Sequence, residues 1–118
     1  MQNTEVLEKC YKDIARIMLE KVEEGWNKAW IEADYIMSPQ GDVDSFIARQ
    51  SKENENKLHG LRVDFGTNSP LKIALNKIHT IVIDNNGNRC KWFKFKLTPD
   101  GSFNINFDYD NNHSFTGR

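Results

Sequence analysis

The chain has 118 residues, 38% hydrophobic and 28% charged, with a formal net charge of −1. That is the size of one domain, and a chain this long buries roughly two thirds of its unfolded surface, enough for a core without staples. The charge balance argues against a dedicated nucleic-acid binder, whose affinity rests on many uncompensated Lys and Arg, and no stretch approaches the ~20 apolar residues of a membrane helix.

The N-terminus, Met1 to Glu5, lacks a basic region followed by an apolar run and is not read as a secretory signal. The two cysteines, Cys10 and Cys90, are too few for a disulfide scaffold. They read as reduced thiols of a cytosolic protein, with a single bridge as the alternative.

Residues 4–24 are expected to form a helix, with Thr4 as N-cap and Gly25 as the C-terminal stop. Leu7, Cys10, Tyr11, Ile14, Ile17, Met18 and Val22 make one apolar stripe at the 3.6 period. A strand follows over 28–37, with Trp30, Glu32, Asp34 and Ile36 on one face. Ser38-Pro39-Gln40-Gly41 is turn chemistry, and a second strand over about 43–50 completes a hairpin. Residues 51–57 have no apolar member and read as a loop. A third strand is expected over 58–65, where Leu61, Val63 and Phe65 alternate with Arg62 and Asp64.

Ser69 as N-cap with Pro70 at the first helical position opens a helix expected over 70–84. The β-branched run Thr80-Ile81-Val82-Ile83 leaves a strand open for its last part. The clearest local signal is terminal. Phe93, Phe95 and Leu97 alternate with polar residues, Thr98-Pro99-Asp100-Gly101-Ser102 turns the chain, and Phe103, Ile105, Phe107 and Tyr109 alternate again. That is a hairpin with one dry and one wet face. The whole is a single α+β domain over 1–118: two helices on one face of a five-stranded, mainly antiparallel sheet, in the order α-β-β-β-α-β-β, with residues 111–118 as a frayed tail.

Chemistry-bearing motifs are sparse. His59, His79 and His113 have no zinc-site spacing, and no CxxC joins them. Cys90 lies beside Arg89 and Lys91, which could lower a thiol pKa. Glu32 with Asp34, and Asp108 with Asp110, share strand faces and could form acid–base or cation sites, although acids on a wet face are common. The charge is unevenly spread. Residues 1–66 hold 9 basic and 13 acidic side chains, and residues 67–98 hold 6 basic and 1 acidic. Glu32, Asp34, Asp42, Asp44, Asp64, Asp108 and Asp110 are expected to collect on the wet sheet face and its loops. An acidic surface suits a basic partner, because opposite charge speeds encounter.

Two segments carry a resemblance. The first is Trp26-Asn27-Lys28-Ala29-Trp30-Ile31-Glu32-Ala33-Asp34-Tyr35, and the second is the terminal hairpin from Trp92 to Asp110 with its run Asp100-Gly101-Ser102-Phe103-Asn104-Ile105-Asn106-Phe107-Asp108-Tyr109-Asp110. With the order of elements over residues 5–110, they resemble the YezG-like family of bacterial immunity proteins, or antitoxins. The stretch from Gln40 to Asn68 is outside the resemblance. It implies a cytoplasmic protein that performs no reaction, needs no cofactor or metal, and forms a 1:1 complex with a cognate toxin domain, often a nuclease, blocking its active site or substrate access. No catalytic residue carries over. The seven acidic residues above, with the 38–45 turn, are the expected toxin-binding surface. Two rival readings come from the residues themselves. One is a nucleic-acid-binding regulator using Lys72, Lys77, Arg89, Lys91, Lys94 and Lys96 with Trp92 and Phe93. The other is a small enzyme using Glu32 and Asp34, or Cys90.

Overall fold

The amphipathic stripes of two helices and the alternation of five strands meet in one core. The computed structural model describes residues 2–35, 43, 45–66 and 68–109. The elements are α1 (Gln2–Leu19), β1 (Trp26–Asp34), β2 (Ser45–Lys52), β3 (Leu58–Gly60), α2 (Pro70–Ile81), β4 (Trp92–Leu97) and β5 (Phe103–Asp108). The strands form a single sheet of order β3-β2-β1-β4-β5, every pair antiparallel. The expected α+β class and element order are therefore present. No helix among the described residues is long and apolar enough to cross a membrane.

Cys10, Ile14 and Met18 lie four residues apart and form the buried stripe of α1, and the same helix carries the ion pairs Lys9–Asp13 and Arg16–Asp13, both 2.9 Å. On α2, Leu71, Ala74, Leu75, Ile78 and His79 are buried. Both stripes close over the same sheet face, where Ala29, Ile31 and Ala33 of β1 and Phe93, Phe95 and Leu97 of β4 complete the core. Tyr35 ties the layers together: its hydroxyl donates to the Leu75 carbonyl at 2.8 Å.

Several boundaries differ from expectation. The first helix starts at Gln2, so Thr4 lies inside it, and it stops at Leu19, one residue after its last fully buried side chain, Met18. The chain then unwinds through the bonds Lys21 N–H to Met18 O and Val22 N–H to Met18 O. Gly25 has φ +83° and belongs to the entry into β1 rather than to a helix cap. The first strand is 26–34 and the second 45–52, which moves residues 51 and 52 from loop to ladder. The third strand pairs only over 58–60. Beyond it, Leu61 N–H still bonds Ala48 O, but Val63 N–H turns back to Leu61 O, and Phe65 stacks on Phe46 at 4.1 Å. Its alternation is spent on packing against the core.

The start of α2 is as expected: Ser69 Oγ accepts the Lys72 N–H at 3.2 Å, with Pro70 following. Its end resolves the helix–strand alternative in both directions. The helix runs to Ile81, Val82 is extended, and Ile83 makes an isolated antiparallel bridge to Arg89. The turn 38–41 and the tail 111–118 lie outside the described residues.

Candidate functional site

Among the described residues no helix packs on the second sheet face, and register decides which side chains meet there. On β1, Trp30 lies between Arg49 of β2 and Lys96 of β4, Glu32 between Ile47 and Lys94, and Asp34 between Ser45 and Trp92. Trp92 in turn lies opposite Asp108 of β5, and Lys28 lies opposite Ser51. The face is therefore polarised. Lys28, Arg49 and Lys96 surround the Trp30 end of β1, Lys94 lies level with Glu32 in the middle, and Asp34 and Asp108 occupy the far end. At about 3.3 Å per residue, Trp30 and Asp34 are separated by about 13 Å.

The middle of this face is closed, against the expectation of a fully wet one. Trp30 is 3% exposed, Glu32 0% and Trp92 6%. The Trp92 indole donates to Glu32 Oε1 at 3.3 Å, so the carboxylate is held by a buried hydrogen bond. Lys94 Nζ sits 5.6 Å from the Trp30 ring, a cation–π contact. The Trp30 indole N–H is buried without a hydrogen-bond acceptor among the described residues. Beside Trp30 lies a recess of about 200 Å³ lined by Lys28, Trp30, Ser51, Leu58 and Lys96. Ser51 Oγ is hydrogen bonded to Asn27 Oδ1 at 2.5 Å. A second concavity, about 320 Å³, runs between the helices past Val6, Lys9, Ile73 and Lys77.

Of the seven acidic residues singled out from sequence, Glu32, Asp34 and Asp108 come together on the helix-free face. Glu32 is sealed, whereas Asp34 and Asp108 are half-buried. Asp64 stands apart on the exposed chain after β3, where its Oδ1 accepts the Gly66 N–H at 3.0 Å. Asp42, Asp44 and Asp110 lie outside the described residues. Sequence reasoning missed Lys28, Arg49, Ser51 and Leu58. Alternation along a strand gives a residue its face but not its cross-strand neighbours, so the only available signal was Trp30 sharing a parity with Lys28.

The alternative chemistries separate in space. Lys94 and Lys96 belong to the helix-free face, whereas Lys77 lines the groove between the helices and Lys72 lies 5.8 Å from the Phe65 ring. Arg89 donates to the Thr80 carbonyl at 2.7 Å, and Phe93 is in the core. The six cations and two aromatics thus do not form one patch. Cys10 and Cys90 are free thiols, both buried. Burial pushes the Cys90 thiol up to about 12, the opposite of the lowering by Arg89 and Lys91 considered from sequence. Among the described residues no three metal-ligating side chains cluster. His59 pairs with Glu55 at 2.8 Å, and His113 lies outside the described residues.

His79 is buried and stacked on Tyr35 with ring centroids 4.4 Å apart. Burial, then Arg89 and Lys91, lower its pKa below the ordinary histidine value. The unfolded chain therefore binds the proton more readily. The stabilisation is complete above about pH 6.5 and is lost as pH falls from there through the lowered folded value. Urea midpoints measured from pH 7.5 to 5 should fall more steeply for the natural chain than for His79→Phe, which keeps a stacked ring without a proton site. Parallel profiles would contradict this assignment.

Comparison with known proteins found no matching family model and no matching curated protein.

Proposed function

We propose that this chain is an immunity protein that binds a toxin domain, a nuclease in the simplest case, in a stoichiometric complex and blocks its active site or substrate access. The observation that carries the reading is the polarised helix-free face. Cations around Trp30 and carboxylates around Trp92 lie on a four-strand platform, and a surface of that kind favours one partner and one orientation. The resemblance of the 26–35 and 92–110 segments to immunity proteins supports the same reading. The docking surface expected from sequence is thereby revised: Asp34 and Asp108 remain candidate contacts, Glu32 acts beneath them, and Lys28 and Lys96 join.

The test is co-expression with a toxin domain encoded beside the chain. Cells carrying the toxin domain alone should stop growing, and cells carrying both should survive. Lys28→Glu with Lys96→Glu, and separately Asp34→Lys, should slow association roughly tenfold or more at low salt, with melting temperatures near that of the natural chain. Full-speed binding and full protection by both variants would place the interface elsewhere, and a chain that never protects would end the reading.

The nucleic-acid alternative loses its main support because its six cations are divided between faces.

A further inference from the structure

The two edges of the sheet are built differently. β3 pairs over only three residues, and beyond it Val63 N–H turns back to Leu61 O. An edge that short is a poor template for a further strand. β5 is six residues long, pairs with β4 without a register shift, and holds no Lys, Arg or Pro to discourage pairing. Among the described residues it has a neighbouring strand on one side only. The Ser102 and Asp108 carbonyls accept from the Thr98 and Lys91 N–H groups at 3.1 and 2.7 Å, so even-numbered residues turn their backbone groups toward β4. By alternation Phe103, Ile105 and Phe107 turn theirs outward. The side chains of these three lie on the helix-covered face, opposite Leu97, Phe95 and Phe93, yet Phe103 is 44% exposed.

The outward edge is complementary to itself. Phe103-Asn104-Ile105-Asn106-Phe107 reads the same in both directions. We infer that β5 pairs antiparallel with β5 of a second copy of this chain, about a two-fold axis at Ile105. In this register Phe103 faces Phe107 of the second copy, Asn104 faces Asn106, and Ile105 faces its own counterpart. The outward backbone groups then meet their equivalents in about six hydrogen bonds. The axis is perpendicular to the sheet, so the dry faces stay on one side and the exposed Phe103 ring gains an aromatic cross-strand neighbour. Charge fits as well. Asp108 is the only charged residue of β5, and it comes opposite Ser102 of the second copy rather than another acid. The net charge of −1 adds little repulsion between copies.

The helices leave room for this seam. The Tyr11 ring of α1 lies 6.5 Å from that of Phe95 and 6.2 Å from that of Phe103, which places α1 over β4 and β5. Across the seam the two β4 strands stand about 14 Å apart, and helices pack at about 8–10 Å. The assembly also closes. Pairing consumes both β5 edges and leaves only the short β3 edges outside, so a dimer forms rather than a ladder. A seam about 20 Å long is smaller than a standard interface of about 1,600 Å², so the dimer is weak, with a dissociation constant on the order of 0.1 mM.

The experiment is sedimentation velocity on the full chain, from about 10 µM to about 1 mM, which brackets that constant. The chain should pass from monomer to dimer and no further. Asn104→Glu with Asn106→Glu sets each new carboxylate opposite Lys96 or Lys94 of its own chain, but opposite a like charge of the second copy. It should weaken the dimer roughly tenfold without lowering the melting temperature. Register is read by cross-linking. Facing residues between hydrogen-bonded pairs have Cα atoms about 4.5 Å apart, within disulfide reach. Asn104→Cys chains mixed with Asn106→Cys chains should therefore link under diamide, which takes up the two electrons and two protons released by the thiols. Either variant alone should link far less, because its cysteines are offset along the strands; Cys10 and Cys90 are buried. A chain that stays monomeric throughout overturns the pairing and leaves the edge to a strand of another protein. Equal cross-linking in the mixture and in the single variants overturns the axis at Ile105, and growth beyond a dimer overturns the closed assembly. No toxin enters these measurements, so their outcome is separate from the protection of cells.

Discussion

Phe95→Ala should cost about 3–5 kcal/mol of folding stability, the range for emptying a phenylalanine-sized site in a packed core. Phe95 is fully buried in the middle of β4, where it pairs with Ile31 on one side and Ile105 on the other. Its ring lies 6.5 Å from that of Tyr11 on α1 and 5.1 Å from that of Phe103. The neighbours are held by two different strands and a helix, so they cannot collapse together into the void. A domain of this size has roughly 5–15 kcal/mol in total, and the change would consume a large part of it. Urea unfolding followed by circular dichroism measures the effect. Phe103→Ala is the internal control: its ring is 44% exposed, so its loss should be much smaller. A Phe95→Ala cost no greater than that of Phe103→Ala would show that the helix layer does not bear on β4 as described.

Glu32→Lys should be comparably damaging, at about 3–5 kcal/mol, because it leaves a buried charge without compensation. The new ammonium would be enclosed at a position with no solvent exposure, face Lys94 across the β1–β4 pair, and lose the Trp92 hydrogen bond. A melting temperature roughly 10–20 °C lower follows from that cost. Asp34→Lys, two residues along the same face but half-buried, should melt close to the natural chain. The contrast bears on function as well as folding. Loss of partner binding in Glu32→Lys would report an unfolded platform, whereas loss in Asp34→Lys would report the contact itself. Equal melting temperatures for Glu32→Lys and the natural chain would show that the centre of the face is open after all.

Much of the architecture was legible because its signals are local. The Ser69-Pro70 pair marks a helix start through one side-chain hydrogen bond and one preset φ. The Thr98–Ser102 turn is equally self-contained: Asp100 Oδ1 accepts from the Ser102 hydroxyl, the Ser102 N–H and the Thr98 hydroxyl, which together hold its pKa down to about 2, and Gly101 takes φ +88°. What escaped was set by partners distant in sequence. The alternation at Leu61, Val63 and Phe65 is as regular as that of a strand, yet the paired strand ends at Gly60, Val63 N–H turns back to Leu61 O, and Phe65 stacks on Phe46, a partner distant in sequence. Glu32 reads as a wet-face acid until β4 is placed beside it with Trp92 and Lys94. The Trp30 recess required four strands to be in register at once, a non-local condition that periodicity along one segment does not encode.

The two sulfhydryls have a practical consequence for anyone handling this protein. Cys10 is in α1 and Cys90 lies two residues before β4, the first strand of the C-terminal hairpin, and both are shielded with their ionisation suppressed by burial. An alkylating reagent meets them only when the surrounding segment opens, so the modification rate at each position is a built-in clock of local opening. Tagging at one site sooner than at the other would order the departure of helix and hairpin, with no reporter group added to the molecule.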